Sequence, residues 1–325
     1  MLTVKKVSPL GYLIIAIIVA EVLIFIPSSL KDIAPTTFVA PAEDVDLSIQ
    51  GFKAVNLGAN GQKETIRAKQ AELYQKSGFA ILKEVDARLF TESDDVIHIT
   101  GEKGKYNLKN KNLEIFGNIV AVSENLGYQL KTTYLKYQDQ EKLLSSTESI
   151  YLSGPNPNAP SLIVKGKGFL SSPNDHRISI LSETYCKKFD EGADSIEIDS
   201  DKADIFLEKN EALFKENVVV TQKDMNIFTD HFKIAFNRKN KGIDQATAFH
   251  LVKIVQGDRI ATAQKAHFLN REQKIVLKGN PKVKQGADVV EAKVVVFFTA
   301  ENKILFDEAV GEVYDQKFQG FGEVK

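Results

Sequence analysis

The chain has 325 residues, enough for two domains beyond a short anchor, and its formal net charge is −1 with 26% charged residues. Lys and Asp/Glu are interspersed, which excludes the single-sign field that holds nucleic acid. The one cysteine, Cys186, excludes an intramolecular disulfide; no base is visible beside it, and it reads as a small strand or loop hydrophobe.

Residues 1–9 form a short tail carrying Lys5 and Lys6. Leu10 to Ile26 is apolar except for Glu21, and at ~1.5 Å per residue it spans about 25 Å, enough for a bilayer core. The run exceeds the apolar region of a cleaved signal peptide, and Val39-Ala40 is followed by Pro41, which blocks cleavage there. This predicts a retained signal anchor over 10–30, with the amino terminus in the cytoplasm and the remainder on the far side. Two readings of Glu21 stand: its carboxylate snorkels to the interface, or it faces a protein partner inside the membrane. Residues 31–44, with two prolines, read as an extended linker.

From Val45 onward the pattern is that of β-strands. Ile97 to Val122 shows the unit: apolar residues alternate at Ile97 and Ile99, then at Gly104, Tyr106 and Leu108, and resume after Lys109-Asn110-Lys111-Asn112. Period-two alternation marks half-buried strands, and the Lys/Asn cluster is turn chemistry. Gly117-Asn118 predicts a bend or bulge. The unit recurs with inward anchors at Ala71, Gly104, Leu135, Gly168, Ala203, Phe232, Ala266 and Val295, spaced 29 to 35 residues apart, which means stacked supersecondary units. Asn118, Asn217 and Asn280 hold one offset in three return strands. Ser153 to Pro160 reads as a long turn. An acidic stretch from Lys187 to Asp204 puts a boundary near 185–195, giving blocks at 45–185 and 195–316 and a tail at 317–325. No stretch beyond the anchor has a convincing helical pattern.

The chemistry of catalysis is missing. There is no P-loop, dinucleotide fingerprint, nucleophile elbow or HExxH, and the five histidines are scattered without ligand spacing. Gly101-Glu-Lys-Gly104 and Gly166-Lys-Gly168 lie inside strand repeats with no helix to follow and do not read as phosphate loops. The reading is of a protein without metal or cofactor, and not an enzyme. A ladder of short antiparallel strands, apolar on one face, must cover that face by folding over. Periodicity alone leaves two outcomes open: an interior that fills itself, or an apolar groove open along one seam.

Strand parity places Ile99, Tyr106, Leu108, Leu113, Ile115 and Ile119 on one face of the first block. In the second it places Ile205, Leu207, Phe214, Val218, Val220, Phe232, Ile234, Phe236, Phe268 and Leu277 there. Lys105, Asn107, Glu114, Asp204 and Lys233 are expected to face water. The outer sheet edges are expected at Val45–Leu57 and at Val289–Phe298 or Lys303–Tyr314. The segment VVEAKVVVFF, guarded only by Glu291 and Lys293, is the favoured free edge; capping by the chain's own termini is the alternative.

The anchor, the Pro-containing linker and the segments VDLSIQGFKAV, IRAKQAELY, HITGEKGKYNLKNKNLEIFGNIVAV, LKTTYLKYQ and VKGKGF resemble the LptC family of lipopolysaccharide-export proteins over roughly 12–182. The second block, from DSDKADIFLEKNEALFKENVVVTQ through IVLKGNPKVKQ, is similar to the LptA (OstA-like) bridge proteins, with Glu216 and Pro281 as departures from that pattern. The resemblance implies an all-β architecture: an N-terminal transmembrane helix followed by two stacked, open antiparallel β-jellyroll domains. It implies that the inward residues line a lipid groove. The implied partners are lipopolysaccharide, an inner-membrane ABC transporter, and an LptA-like bridge protein or outer-membrane translocon. The implied location is the inner membrane, with the bulk of the chain in the periplasm.

Overall fold

Alternating sequence over ten to fourteen residues gives strands longer than the usual five or six. The computed structural model describes residues 38–39, 44–57, 63–90, 96–172, 177–189, 195–206, 208–237, 242–301 and 303–312. The expected tail, anchor and most of the linker lie outside the described residues, as do Leu207 and the tail at 317–325. Among the described residues no helix is long and apolar enough to cross a membrane.

The first nine strands are β1 (Leu47–Leu57), β2 (Lys63–Tyr74), β3 (Phe79–Phe90), β4 (Val96–Asn107), β5 (Leu113–Ser123), β6 (Gln129–Gln138), β7 (Leu143–Gly154), β8 (Leu162–Ser172) and β9 (Arg177–Lys188). Each pairs antiparallel with the next. β10 (Ile196–Ser200) and β11 (Lys202–Phe206) lie end to end in one row, between β9 and β12 (Glu211–Gln222). The ladder is therefore unbroken across the acidic stretch. It continues through β13 (Met225–Phe236), β14 (Ile243–Gln256) and β15 (Arg259–Leu269). β16 (Lys274–Lys278) and β17 (Lys282–Gln285) share the next row. β18 (Asp288–Glu291) and β19 (Val294–Phe298) share the one after, and β20 (Lys303–Asp307) and β21 (Val310–Glu312) the last. The fold is all-β, an antiparallel β-jellyroll.

Midway along most alternate rows the backbone turns left-handed; at β7 and β8 the left-handed residue is instead Gly168 on β8. Gly51, Glu84, Gly117-Asn118, Glu183, Glu216-Asn217, His250-Leu251, Gly279-Asn280 and Glu308 all have positive φ. For a residue with a Cβ this conformation costs about 1 kcal/mol or more. Several of these sites are bulges: the register slips between Phe116 and Ile119, between Lys215 and Val218, and between Phe249 and Val252. The extra residue bends the strand and lets it keep its inward parity across the bend, while the unbulged partner changes parity there. On β4 the inward set passes from Ile99 to Gly104 and Tyr106; on β5 it passes from Leu113 and Ile115 to Ile119 and Ala121. The asparagines at one repeated offset are thus bend residues, and all eight repeat anchors are buried. Glycine is required where the bent sheet closes tightly: a Cβ on Gly101 would lie 2.3 Å from Cγ2 of Ile115, and one on Gly166 would lie 2.3 Å from Cγ2 of Ile180.

Two expectations need correction. Val289–Phe298 is not an edge. β18 and β19 are paired on both sides, because β20 and β21 return along them; among the described strands the edge is the terminal row instead. Asp204 does not face water. It lies on the outer face but is 8% exposed, because neighbouring strands cover it. The Ser179 hydroxyl donates to it over 2.5 Å and the Lys215 ammonium over 2.6 Å. The other residues expected to face water lie at exposed or half-buried positions: Lys105 stands over the Phe79 ring and Lys233 pairs with Glu211 at 2.7 Å.

Burial alone would raise the Asp204 pKa, but the hydrogen bonds from Lys215 and Ser179 outweigh it and hold the carboxyl below its ordinary value. A depressed folded pKa contributes stability that is present above the unfolded value of about 4 and lost as pH falls through the folded value. Asp204→Asn is expected to lower the urea midpoint at pH 7. The gap to wild type should narrow as the pH is taken below about 4; a gap independent of pH would contradict this account.

Candidate functional site

The cross-strand register aligns inward residues into two rows that run the length of the sheet, one on each side of the bend. The first passes through Ile49, Ala71, Leu82, Gly104, Ile115 and Leu135, is interrupted by the polar Ser146, and continues through Phe169, Ile180, Ala203, Phe214, Phe232, Ala248, Ala266, Leu277 and Val295 to Phe306. The second passes through Ala54, Ile66, Ala87, Ile99, Ala121, Leu130, Leu152, Val164, Cys186, Ile198, Val220, Ile227, Ile254, Ala261, Val283 and Val290 to Gly311. With strands ~4.8 Å apart, each row is on the order of 75 Å long. The buried apolar side chains of both rows, Val290 apart, belong to one hydrophobic cluster.

Most of the expected inward residues lie in or beside these rows. Ile99, Tyr106, Leu113, Ile115, Ile119, Phe214, Val218, Val220, Phe232, Ile234 and Leu277 are buried. Ile205, Phe236 and Phe268 are partly buried against the same cluster, with Phe268 edge-on to Phe232 at 6.1 Å. Leu108 is an exception: it lies beyond the end of β4 in the Leu108–Asn110 turn and is 39% exposed, because parity stops having meaning where the strand ends. Leu207 lies outside the described residues.

Exposure varies with position along the strands. Residues beside the bend, such as Ile99, Ile115, Ile119 and Val218, are at most 1% exposed. The partly buried apolar residues fall mostly near strand ends: Ile97, Leu152, Leu162 and Ile196 on one side, Ile205, Phe236, Ile243 and Phe268 on the other. The bend is thus the closed spine and the strand ends form two apolar margins.

Near β1 the two margins meet through polar groups. Glu64 shares the inward parity of Ile66 and Ala68 on β2 and is 2% exposed. Its Oε1 accepts from the Tyr137 hydroxyl at 3.1 Å and from the Lys142 ammonium at 2.9 Å. Lys142 also donates to Asp139 at 3.0 Å, and the Tyr106 hydroxyl donates to Asn56 at 3.4 Å. In a flat sheet β2 and β6 would stand about 19 Å apart. These contacts exist because the bent strands bring opposite margins together. Burial opposes the Lys142 charge, but hydrogen bonds to Glu64, Asp139 and Tyr137 outweigh it and raise its pKa. Burial and the charge of Glu64 raise that of Tyr137. Parity could have flagged Glu64, an acid at an inward position. Its partners, 73 and 78 residues away, could not be read from the sequence.

The family profile described as lipopolysaccharide-assembly, LptC-related, matches residues 12–185, more than half of the chain. The chain belongs to the LptC-related family. A second profile, described as LptA/(LptD N-terminal domain) LPS transport protein, matches residues 197–303, so an LptA-like segment follows the LptC-related one. Among solved structures, the chain is similar to LptH of Pseudomonas aeruginosa, described as the LptA homologous periplasmic component of the lipopolysaccharide transport device. The identity is 14% and the TM-score 0.34, over 37% of this chain and 95% of that one. No curated protein matches the chain. Among the described residues no group of His, Cys, Asp or Glu is arranged to hold a metal ion.

Between the LptC-related and LptA-like segments the rows are continuous. The first crosses at Ile180–Ala203 and the second at Cys186–Ile198. Cys186 is a link in the second row, and burial pushes its thiol up to about 12. A buried neutral thiol neither ligates nor attacks. A maleimide is therefore expected to leave Cys186 unmodified in the native chain at pH 8 and to label it fully in urea. Rapid native labelling would mean that the rows part at the junction.

Proposed function

We propose that the chain is an inner-membrane-anchored periplasmic carrier. It accepts lipopolysaccharide from an ABC transporter and passes it along the apolar rows toward the outer membrane. The observation that carries this reading is the continuity of both rows through the LptC-related and LptA-like segments. Exposing one methylene to water costs about 0.8 kcal/mol, so a ~14-carbon acyl chain costs on the order of 10 kcal/mol. A track with no polar gap in one row and a single serine in the other lowers that barrier at each step. The family reading and the track require no covalent chemistry in this chain; the transporter would supply the work.

The tight packing at Gly101 and Gly166 favours a spine that is filled, with the lipid held nearer the margins. The lipid-facing set then centres on Phe232, Ile234, Phe236, Phe268, Ile205 and Tyr106, with Ile99, Ile115, Ile119 and Val218 as the supporting wall. At the two ends, β1 pairs only with β2, and β20 and β21 pair on one side only, among the described strands. Such edges accept an added strand. The β1 edge would join the transporter, and the terminal row a further bridge protein or the outer-membrane translocon.

In cells making the full chain, a photoreactive residue at Phe268 is expected to cross-link lipopolysaccharide. Phe232→Asp is expected to reduce that product at least a hundredfold in protein that stays folded, since a charge buried in the row costs several kcal/mol. Undiminished cross-linking in the folded variant would remove the groove from the account. A photoreactive residue at Leu305, 48% exposed on β20, is expected to cross-link a β-rich partner protein of the export system. Products with lipid alone would refute strand addition at this edge.

A further inference from the structure

Within the reading of the rows as a lipid track, the polar cluster near β1 is out of place. Glu64 occupies an inward position at the margin of the second row, two residues from Ile66, and the carboxylate is almost fully buried. One oxygen, Oε1, takes both donors, Tyr137 and Lys142; the other, Oε2, is buried with no hydrogen-bond partner. A buried carboxylate oxygen left unpaired is costly, and such groups in native proteins mark a missing partner. The groups facing it are those of the β6 end and the β6–β7 turn, Tyr137, Asp139 and Lys142, with Asn56 and Tyr106 alongside. Two carboxylates against one ammonium leave the cluster with one net negative charge, which suits a donor and disfavours a second anion.

We propose that Glu64 is a headgroup site: its free oxygen receives a hydroxyl or ammonium donor from the sugar head of an amphiphile whose acyl chains lie in the rows, and Tyr137 and Lys142 hold that place across the margins when no head is bound. Head binding begins at the unpaired Oε2 and turns the carboxylate toward the head, which weakens the bonds that Tyr137 and Lys142 make to Oε1, so the two compete for the orientation of one carboxylate. The site lies among β1, β2, β4 and β6, at the end of the track that begins with the edge strand β1, so an arriving head meets it early. Breaking the bonds from Tyr137 and Lys142 frees the two margins to separate while the donor satisfies Glu64. The polar cost of opening is thereby offset only for amphiphiles that carry donors.

The test uses the full chain in lipid nanodiscs with a photoreactive residue at Leu144, which pairs with Tyr137, or at Leu277 in the second half. The probes are purified lipid A freed of its phosphates, whose sugar head offers hydroxyl donors without an anion, and a fluorescent fatty-acid methyl ester with no sugar. Glu64→Gln is expected to lower lipid A capture at Leu144 about tenfold, the effect of losing a charged hydrogen bond, without lowering ester capture. Tyr137→Phe removes an internal competitor and is expected to raise lipid A capture about threefold. A cluster that merely holds the fold would make both variants less stable and lower both probes together, and that outcome overturns the proposal. Lipid A capture within twofold of wild type in Glu64→Gln overturns it too, while leaving the track intact. Absence of capture at both positions in the unsubstituted chain refutes the track and this site with it. Lys142→Met serves if Glu64→Gln does not fold: it frees Oε1 and is expected to raise lipid A capture, and a fall would count against competition.

Discussion

The structure depends on the match between bend and parity. Side chains alternate faces along a strand, so an uncompensated slip of one residue would turn every apolar group outward. Here most alternate rows absorb that slip at a fixed place, through left-handed residues such as Gly117-Asn118, Glu216-Asn217 and Gly279-Asn280. Each bend costs local energy, and burial on both sides offsets it: fully burying one Ile or Leu contributes about 1.5–3 kcal/mol. The bend line faces solvent and carries polar contacts such as Lys69–Glu84, Lys202–Glu216 and Lys293–Glu308, all at exposed positions. Exposed pairs of this kind add little. The apolar rows inside hold the bend closed.

The two rows follow from that arrangement. Because the bends recur in step with the strands, inward residues fall in register from one strand to the next. Small and large residues alternate along the second row, as in Ile66–Ala87–Ile99–Ala121, which suits a narrow interior. The junction between the LptC-related and LptA-like segments obeys the same rule, and β9 hydrogen-bonds to both β10 and β11 there. The acidic stretch does not interrupt the sheet: Glu197 pairs with Lys187 at 2.7 Å and Asp204 with Lys215, so these two charges are met by neighbouring strands.

Much of this was legible in the sequence because parity and repeat are local properties. The eight anchors and the Asn offset were visible as periodicity, and the buried set followed from them. What was not legible depends on which strands become neighbours. Leu108 fits the alternation, but the strand ends one residue earlier, at Asn107. Asp204 fits an outward position, but Ser179 and Lys215 come from flanking strands to cover it. VVEAKVVVFF has the composition of an edge, but the return of β20 and β21 depends on a turn whose direction no pattern announces. Glu64 breaks the apolar pattern of β2, but no local pattern reveals its role, because Tyr137 and Lys142 are brought to it only by the folding-over of the sheet.

The unbroken ladder at β9–β11 has a consequence for assembly. Where two carriers dock as separate molecules, their joint forms by collision, and its occupancy follows the concentrations of both. In this chain that joint is intramolecular, closed by the peptide that runs from Lys188 to Ile196. An intramolecular joint has an effective concentration set by the short connection rather than by expression. The ratio of the two segments is locked at one to one, and dilution cannot separate them. A second chain that carried only one of the segments would have to break strand pairing already made in order to compete for this joint.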